Sequence, residues 1–290
     1  MTKCLIATVL VIAVAAMTGC SELKVGAPKA PSEWRLAMMA YTFRNFTLFE
    51  AIDKTQELGL RYLEGFSWHK VGGPFGDAPF DNTMSCEARE EIKKKLHESG
   101  VKLVGYYAAQ LGNDEAATRR VFEFCKDMGV EYIVAEPAVE HMTLVDKLAG
   151  EYEIHVAIHN HPKNPAQPAY QNWSPEGVLK LMEGRSKWIG ACADTGHWAR
   201  SGLNTVEATR KYKGRLVSVH LKDAAKPEHD APDVVWGTGL ADISGVLAEL
   251  AHEDFRGVFS IEYEANPEDN MGEVAQCIKY FNQVSNELTR

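Results

Sequence analysis

The segments IHNH (158–161), ACADTGH (191–197), SVHLKD (218–223) and FSIEYE (259–264) end four consecutive apolar runs of the chain. Each ending carries a side chain that divalent metals accept as a ligand. In a barrel of eight parallel strands, the carboxyl ends of the strands meet around one mouth, so residues distant in sequence assemble into one site. We therefore expect a metal site at this mouth. Its candidate ligands are His159 and His161 on the first ending, Asp194 and His197 on the second, His220 on the third and Glu262 on the fourth.

The rest of the chain repeats the same alternation of strand and helix. Eight apolar runs are separated by helix signals, such as the capping box of Thr47 and Glu50 and the terminating Gly59. Eight such repeats over about 250 residues predict an α/β protein folded as a (β/α)8 TIM barrel. The predicted strands are 35–43, 61–66, 101–108, 131–137, 152–161, 188–197, 215–223 and 257–264. Further helices are predicted to begin at Ser85, Asn113, Ser174, Asn204 and about Asp269.

Composition and charge limit the classes of function. The 290 residues suffice for one barrel domain, and a hydrophobic content of 45% is ordinary for a globular protein. The formal net charge of −9 is spread along the chain, which argues against an extended surface for phosphate backbones. We therefore expect no nucleic-acid partner.

The first residues differ in character from the rest. Lys3 precedes an apolar run at 4–17, and two small residues then lead to Cys20. This pattern resembles a bacterial lipoprotein signal, which implies cleavage of residues 1–19, lipidation of Cys20, a tether at 20–32 and a barrel domain at 33–290. The alternative is an uncleaved N-terminal anchor. Both interpretations predict membrane attachment and a location outside the cytoplasm, in the periplasm or at the cell surface.

Three predicted loops at the barrel mouth are long and rich in aromatic residues. They follow the second, fifth and seventh strands, and they contain Trp68, Phe75, Tyr170, Trp173 and Trp236. Such loops predict the walls of a pocket for a ring with apolar faces, such as a sugar. The alternative is that each aromatic side chain only holds its own loop in place.

The order of the strand endings AEP, AIHNH, DTGHW, VHLKD, WGTG and IEYE resembles the xylose-isomerase-like barrel superfamily. That superfamily includes sugar isomerases, ketose 3-epimerases, inosose dehydratases and type IV apurinic endonucleases. The resemblance implies one divalent ion (Mn, Co, Zn or Mg), held on strands five to eight by residues that are commonly Glu, Asp, His and Glu. Carried over to this chain, the last three ligands are Asp194, His220 and Glu262.

Strand five departs from the pattern of the superfamily. His159 stands where a glutamate is usual, so either His159 is the ligand or Glu136 on strand four supplies the missing carboxylate. His161 lies two residues further and shares a strand face with His159, which would let His161 contact substrate. The departure weakens the two-glutamate arrangement that the resemblance implies for epimerases.

The remaining polar residues predict enediolate chemistry on a sugar. Glu262 is the expected base, Glu136 a second candidate, and His161, His197 and Lys222 are candidate proton carriers. A metal at this site would lower the pKa of a carbon acid next to a carbonyl group. Lys222 could instead be a surface lysine. The candidate substrate-binding residues are Glu64, whose alternative is a salt bridge inside the barrel, His197, Trp68 and Trp236.

Three functions remain open at the level of the sequence. The first is a metal-dependent isomerase or epimerase of an unphosphorylated, possibly keto, sugar. The second is a hydratase or lyase that acts on 3-keto sugars at the same site. The third is a noncatalytic sugar-binding lipoprotein. The sequence shows no glycine-rich anion loop or arginine cluster for a phosphate group, and the amides of Gly237 and Gly239 are predicted to approach the ligand.

Overall fold

Eight parallel strands close into one barrel in the computed structural model, which describes residues 34–288. Each strand pairs with its neighbours along the chain, and the first strand pairs with the last. The predicted TIM barrel is confirmed. The strands are β1 (Arg35–Met39), β2 (Tyr62–Phe66), β3 (Lys102–Tyr107), β4 (Tyr132–Ala135), β5 (His155–His159), β6 (Ile189–Asp194), β7 (Leu216–Leu221) and β8 (Val258–Ile261). The helices are α1 (Leu48–Glu57), α2 (Cys86–Glu98), α3 (Glu115–Asp127), α4 (Met142–Tyr152), α5 (Pro175–Met182), α6 (Thr195–Arg200), α7 (Thr205–Lys211), α8 (Ile243–His252) and α9 (Met271–Leu288).

The predicted signal segment, Cys20 and the tether lie outside the described residues. Within residues 34–288, no helix is both long and apolar enough to cross a membrane.

The predicted helix starts follow local hydrogen bonding. The Thr47 side chain accepts the Glu50 amide while the Glu50 carboxylate accepts the Thr47 amide, which completes the capping box of α1. The side chains of Ser85, Ser174 and Asn204 cap α2, α5 and α7, each by accepting the amide of the residue three positions further on. The predicted starts of these four helices are therefore confirmed.

Several predicted boundaries differ from those of the structure, including the three that follow. The cap of α3 is Asp114, whose carboxylate accepts the Ala117 amide, and not Asn113. The last helix begins at Met271 rather than Asp269. Strand β6 ends at Asp194, and α6 begins immediately afterwards, because the Asp194 carboxylate caps α6 by accepting the His197 amide at 2.7 Å. Asp and Asn cap helices about equally well, so sequence alone could not choose between two adjacent residues.

The inside of the barrel has an apolar part and a polar part. The apolar part is a cluster of small and medium side chains from several strands. Its members are Ala37, Val104, Tyr132, Val134, Ala157, Cys192 and Val258. Further along the strands, buried polar side chains replace them at the carboxyl ends of β5 to β8. The barrel is thus a packed core that opens into a polar site at one end.

Candidate metal centre and active site

A cavity of about 710 Å³ opens at the carboxyl ends of the strands. This volume lies within the range of small-molecule sites, which is about 300 to 1,000 Å³. Side chains from β1, β3, β5 and α6, from the loops after β1, β2, β4, β5 and β7, and from the residues directly after β8 line it. The predicted site residues that line it are Trp68, Glu136, His159, His161, His197 and Glu262.

The four predicted ligands come together below this cavity. One potential ligand atom from each of His159, Asp194, His220 and Glu262 lies within 4.8 Å of the others, and all four residues are buried. A group of two imidazoles and two carboxylates suits Zn, Mn, Co or Fe. Two other groups of the described residues are equally compact: His159, Cys192 and His220, which includes a thiol, and Glu136, His159 and His161.

Within the described residues, two members of the group have buried polar atoms that make no hydrogen bond, although Oδ2 of Asp194 lies 3.3 Å from the ammonium of Lys222. Both ring nitrogens of His159 and the Oδ2 atom of Asp194 make no hydrogen bond within the described part of the chain. Unpaired buried polar atoms are costly and therefore rare in folded proteins. A divalent cation would satisfy them, so the residues present fit a metal.

Asp194 is held in place by two neighbouring elements. Its Oδ1 atom accepts the His197 amide at the start of α6, which leaves Oδ2 for a ligand. Asn160, directly after β5, accepts the Asp194 amide at 2.8 Å and donates to the Asp194 carbonyl oxygen at 3.1 Å. Asn160 therefore fixes the ends of β5 and β6 relative to each other. It was not singled out from the sequence, because an Asn between two histidines reads as an ordinary loop residue.

His220 is oriented by a carboxylate from the opposite side of the barrel. Its Nε2 atom lies 2.8 Å from Oε1 of Glu64, and its Nδ1 atom lies 3.0 Å from Oε2 of Glu262. The carboxylate of Glu64 also accepts from the hydroxyls of Tyr132 and Ser260. Carboxylates that orient metal-binding histidines in this way are common beside metal sites.

Glu64 is therefore not a substrate-binding residue of the cavity, contrary to the prediction. The Glu64 side chain is fully buried and accepts hydrogen bonds from His220 and two hydroxyl groups. These contacts agree with the predicted alternative, a salt bridge inside the barrel. Burial by itself raises the pKa of Glu64, but His220 and the hydroxyl donors outweigh it, so the pKa lies below its ordinary value.

His159 belongs to the four-residue group, whereas Glu136 belongs to a separate group with His159 and His161. The Glu136 carboxylate accepts from the hydroxyls of Tyr107 at 3.1 Å and Tyr170 at 2.6 Å, and it lies 2.5 Å from Nδ1 of His161. Both of its oxygens are thus occupied. Burial lowers the pKa of His159, but the nearby carboxylates of Asp194 and Glu136 raise it to about 10.

Lys222 is fully buried and is not a surface lysine. Its Nζ atom lies 2.5 Å from Glu264, 3.1 Å from Glu262 and 3.3 Å from Asp194. Burial lowers the pKa of Lys222, but these carboxylates raise it well above its ordinary value, so the side chain is an ammonium. Lys222 therefore places a fixed positive charge beside two of the candidate ligands.

His197 is a neutral imidazole at the side of the cavity. Burial and the nearby ammonium of Lys222 hold the pKa of His197 well below its ordinary value. Its Nδ1 atom lies 3.3 Å from Arg200, whose guanidinium also donates to Asp233 and to the Ala231 carbonyl oxygen. The guanidinium of Arg200 is therefore already hydrogen-bonded to other residues of the protein.

The predicted aromatic walls are present in part. Trp68 and Tyr170 line the cavity. Trp236 does not line the cavity and is 1% exposed in the hydrophobic core, so its predicted role in substrate binding is wrong. Trp173 lies 4.8 Å from Lys163, and Phe75 packs against the core. For these three residues the predicted alternative, a structural role, describes the structure.

The glycine amides next to Trp236 donate hydrogen bonds within the protein. The amides of Gly237 and Gly239 both donate to Oδ2 of Asp223 at 3.0 Å, so they do not approach a ligand as predicted. Gly237 has a φ of 83°, and a Cβ atom at Gly239 would lie 2.3 Å from Asp223. The WGTG segment therefore folds the loop after β7 around one buried carboxylate and draws Trp236 into the core.

Comparison with known proteins agrees with this architecture. Residues 52–281 match the family described as xylose isomerase-like TIM barrel. Because the match covers most of the chain, the protein belongs to this family.

The curated relatives are more distant. An inosose dehydratase of Bacillus cereus is 28% identical over 137 residues, which cover 42% of this chain and 44% of the relative. The rhizopine catabolism protein MocC of Rhizobium meliloti is 25% identical over 187 residues, covering 59% of this chain and 55% of the relative. The matched parts thus span about half the length of these relatives.

Solved structures share the fold over the whole domain. A protein from Parabacteroides distasonis is 31% identical, with a TM-score of 0.69 over 87% of this chain and 99% of that one. The IolI protein, whose crystal structure contains a zinc atom, is 18% identical, with a TM-score of 0.64 over 88% of this chain and 99% of that one. At this identity the second comparison shows the fold.

Proposed function

We propose that the protein is a metal-dependent sugar isomerase or epimerase that acts through an enediolate. The observation that carries the proposal is the buried group of His159, Asp194, His220 and Glu262, in which three polar atoms make no hydrogen bond within the described residues. A divalent cation held there would polarise a substrate carbonyl and the adjacent hydroxyl and would stabilise negative charge on their oxygens.

The side chains of the site supply the proton transfers. Glu262 lines the cavity and removes the proton from the carbon next to the carbonyl, and the C–H electron pair then forms the carbon–carbon double bond of the enediolate. Burial raises the pKa of Glu262, but Lys222 and His220 hold it well below its ordinary value, so this base is ionised. His161 lies on another element of the lining and is positioned by Glu136, so it can deliver a proton from a second direction.

The fate of the enediolate defines the product. Return of the proton to the neighbouring carbon gives an isomer, and return to the other face of the same carbon gives an epimer. Loss of a hydroxyl group from the next carbon, protonated by His161 and released as water, gives dehydration. Two observations favour this second candidate, a carbon–oxygen lyase or hydratase of 3-keto sugars: His159 replaces the usual glutamate, and curated relatives are named inosose dehydratases.

The charges around the cavity support an unphosphorylated sugar as the substrate. Glu136, Glu262 and Glu264 line the cavity, whereas the guanidinium of Arg200 is already paired with Asp233. Within residues 34–288, a phosphate group would therefore face these three carboxylates, while the guanidinium of the lining is already paired.

We also propose that the domain works outside the cytoplasm, attached to the membrane through a lipidated Cys20. The support is the apolar run at 4–17 followed by Thr18, Gly19 and Cys20. Replacing Cys20 by Ser in a bacterial host with lipoprotein processing should move the protein from the membrane fraction to the soluble fraction. Unchanged membrane retention would favour the uncleaved anchor.

The enzyme proposal is tested by deuterium exchange. The metal-loaded protein is incubated in D2O with a panel of free and 3-keto sugars, and proton NMR follows exchange at each carbon. We expect metal-dependent exchange that Glu262→Gln reduces by about 10²- to 10⁴-fold, the usual contribution of a general base. Glu57→Gln, at the exposed end of α1, is the matched control. Sugar binding without any exchange would favour the noncatalytic binding protein.

A further inference from the structure

Trp68 presents an aromatic ring at the mouth of the cavity. It is 48% exposed, although most large apolar side chains of the described residues are buried. Three other rings hold it: Phe66 at 4.8 Å, Tyr107 at 5.7 Å and Tyr41 at 6.1 Å between ring centroids. The ring is thus positioned before any ligand arrives, which reduces the entropic cost of binding against it.

Trp68 is separated from the candidate metal ligand His159 by the side chain of Tyr107. Tyr107 stands between them, with its ring centroid 5.7 Å from Trp68 and 5.6 Å from His159. The Tyr107 hydroxyl donates to Glu136, which lies with His159 and Glu262 at the polar floor of the cavity. The Tyr107 ring packs against Trp68 at the mouth of the cavity. The cavity therefore has a polar floor and an aromatic mouth that are separated by one side chain.

The two regions suit two different parts of one ligand. The floor offers carboxylates and imidazoles to carbonyl and hydroxyl groups, whereas the Trp68 ring offers an apolar surface to the C–H face of a sugar ring. A volume of about 710 Å³ is large for one hexose. The one guanidinium among the lining residues of the described chain, that of Arg200, is paired with Asp233 and the Ala231 carbonyl oxygen, so the mouth favours an uncharged ligand.

We propose that Trp68 forms a second sugar subsite and that the substrate is an uncharged glycoside of two or more rings. The ring that reacts lies over the metal-ligand group, and its neighbour stacks on Trp68. The assignment of the reacting ring rests on the proposed function, whereas the stacking at Trp68 does not.

Binding measurements on the purified protein test this subsite. Isothermal titration calorimetry compares glucose with the probes cellobiose, maltose and sucrose. We expect one or more of the disaccharides to bind at least about tenfold more tightly than glucose, equivalent to about 1.4 kcal/mol. Trp68→Ala should abolish this preference while leaving glucose affinity nearly unchanged, and Trp68→Phe should retain most of it. Trp173→Ala removes a tryptophan that contacts Lys163 and should have no effect.

Several results would overturn the proposal. Glucose could bind as tightly as every disaccharide, Trp68→Ala could weaken all the sugars equally, or none of the probes could bind at millimolar concentration. The failure of the proposed function is distinguishable from these. A disaccharide preference that depends on Trp68, without deuterium exchange, would keep the subsite and reject the enzyme. Deuterium exchange with monosaccharides, without any dependence of binding on Trp68, would keep the enzyme and reject the subsite.

Discussion

The two halves of the barrel contribute to the site in different ways. Strands β5 to β8 and their endings carry the four candidate ligands, which are buried around one point. Strands β2 to β4 and their endings carry Glu64, Tyr132 and Glu136, whose polar atoms contact one another or residues of the second half. The second half therefore supplies the candidate metal ligands, and the first half supplies carboxylates that orient His220 and His161.

The largest expected effect comes from a ligand of the second half. Asp194→Asn keeps the volume of the side chain but removes the negative charge beside two imidazoles and Lys222. We expect metal affinity to fall by at least about 100-fold, more than for typical residues that orient ligands, and deuterium exchange to disappear. Calorimetric titration with Zn²⁺ and Mn²⁺ measures the first effect. An unchanged affinity would remove Asp194 from the ligand group.

The next effect comes from the supporting half. Glu64→Gln leaves the four candidate ligands in place but removes the carboxylate that faces Nε2 of His220. We expect metal affinity to fall by about 10- to 100-fold, the usual loss for such orienting residues. The same titration checks this value, with Glu57→Gln as the control. A loss as large as that of Asp194→Asn would break the distinction between the two halves.

A change in the opposite direction is expected at Lys222. Its ammonium shares the carboxylates of Asp194 and Glu262 with the candidate metal site, so it competes with a cation. We expect Lys222→Met to tighten metal binding about tenfold, or about 1.4 kcal/mol. The metal-free variant should lose about 3 to 5 kcal/mol of unfolding free energy in urea, because buried carboxylates then lack a partner. Weaker metal binding would show that Lys222 supports the site.

The smallest expected effect concerns the position of His161. Tyr170 donates to Glu136 and accepts the His161 amide, so Tyr170→Phe loosens this pair without altering the ligand group. We expect kcat for exchange to fall about tenfold, in line with the loss of a hydrogen bond to a charged group, while metal affinity stays constant. Parallel kinetics and titration separate the two readouts. A parallel loss of metal would place Glu136 among the ligands after all.

The fold and the clustering of the candidate ligands could be predicted from the sequence, because they depend on periodic patterns, while the choice between His159 and Glu136 stayed open. Alternating strand and helix signals give the barrel, and parallel strands bring the endings at His159, Asp194, His220 and Glu262 to one mouth. The contacts that orient these groups were not readable. The sequence predicts that Glu64 points into the barrel, but it carries no signal for the contact between Glu64 and His220. The burial of Trp236 depends on the turn around Asp223, and such a turn has no periodic pattern in the sequence.

The central claim is that His159, Asp194, His220 and Glu262 hold one divalent metal. X-ray absorption spectroscopy of the zinc-loaded protein tests it most directly, together with the metal content per chain. We expect one zinc per chain, with imidazole nitrogens and carboxylate oxygens at about 2.0 to 2.2 Å and no sulfur. A zinc–sulfur distance of about 2.3 Å would assign the ion to the group that contains Cys192, and a protein that retains no metal would contradict the account.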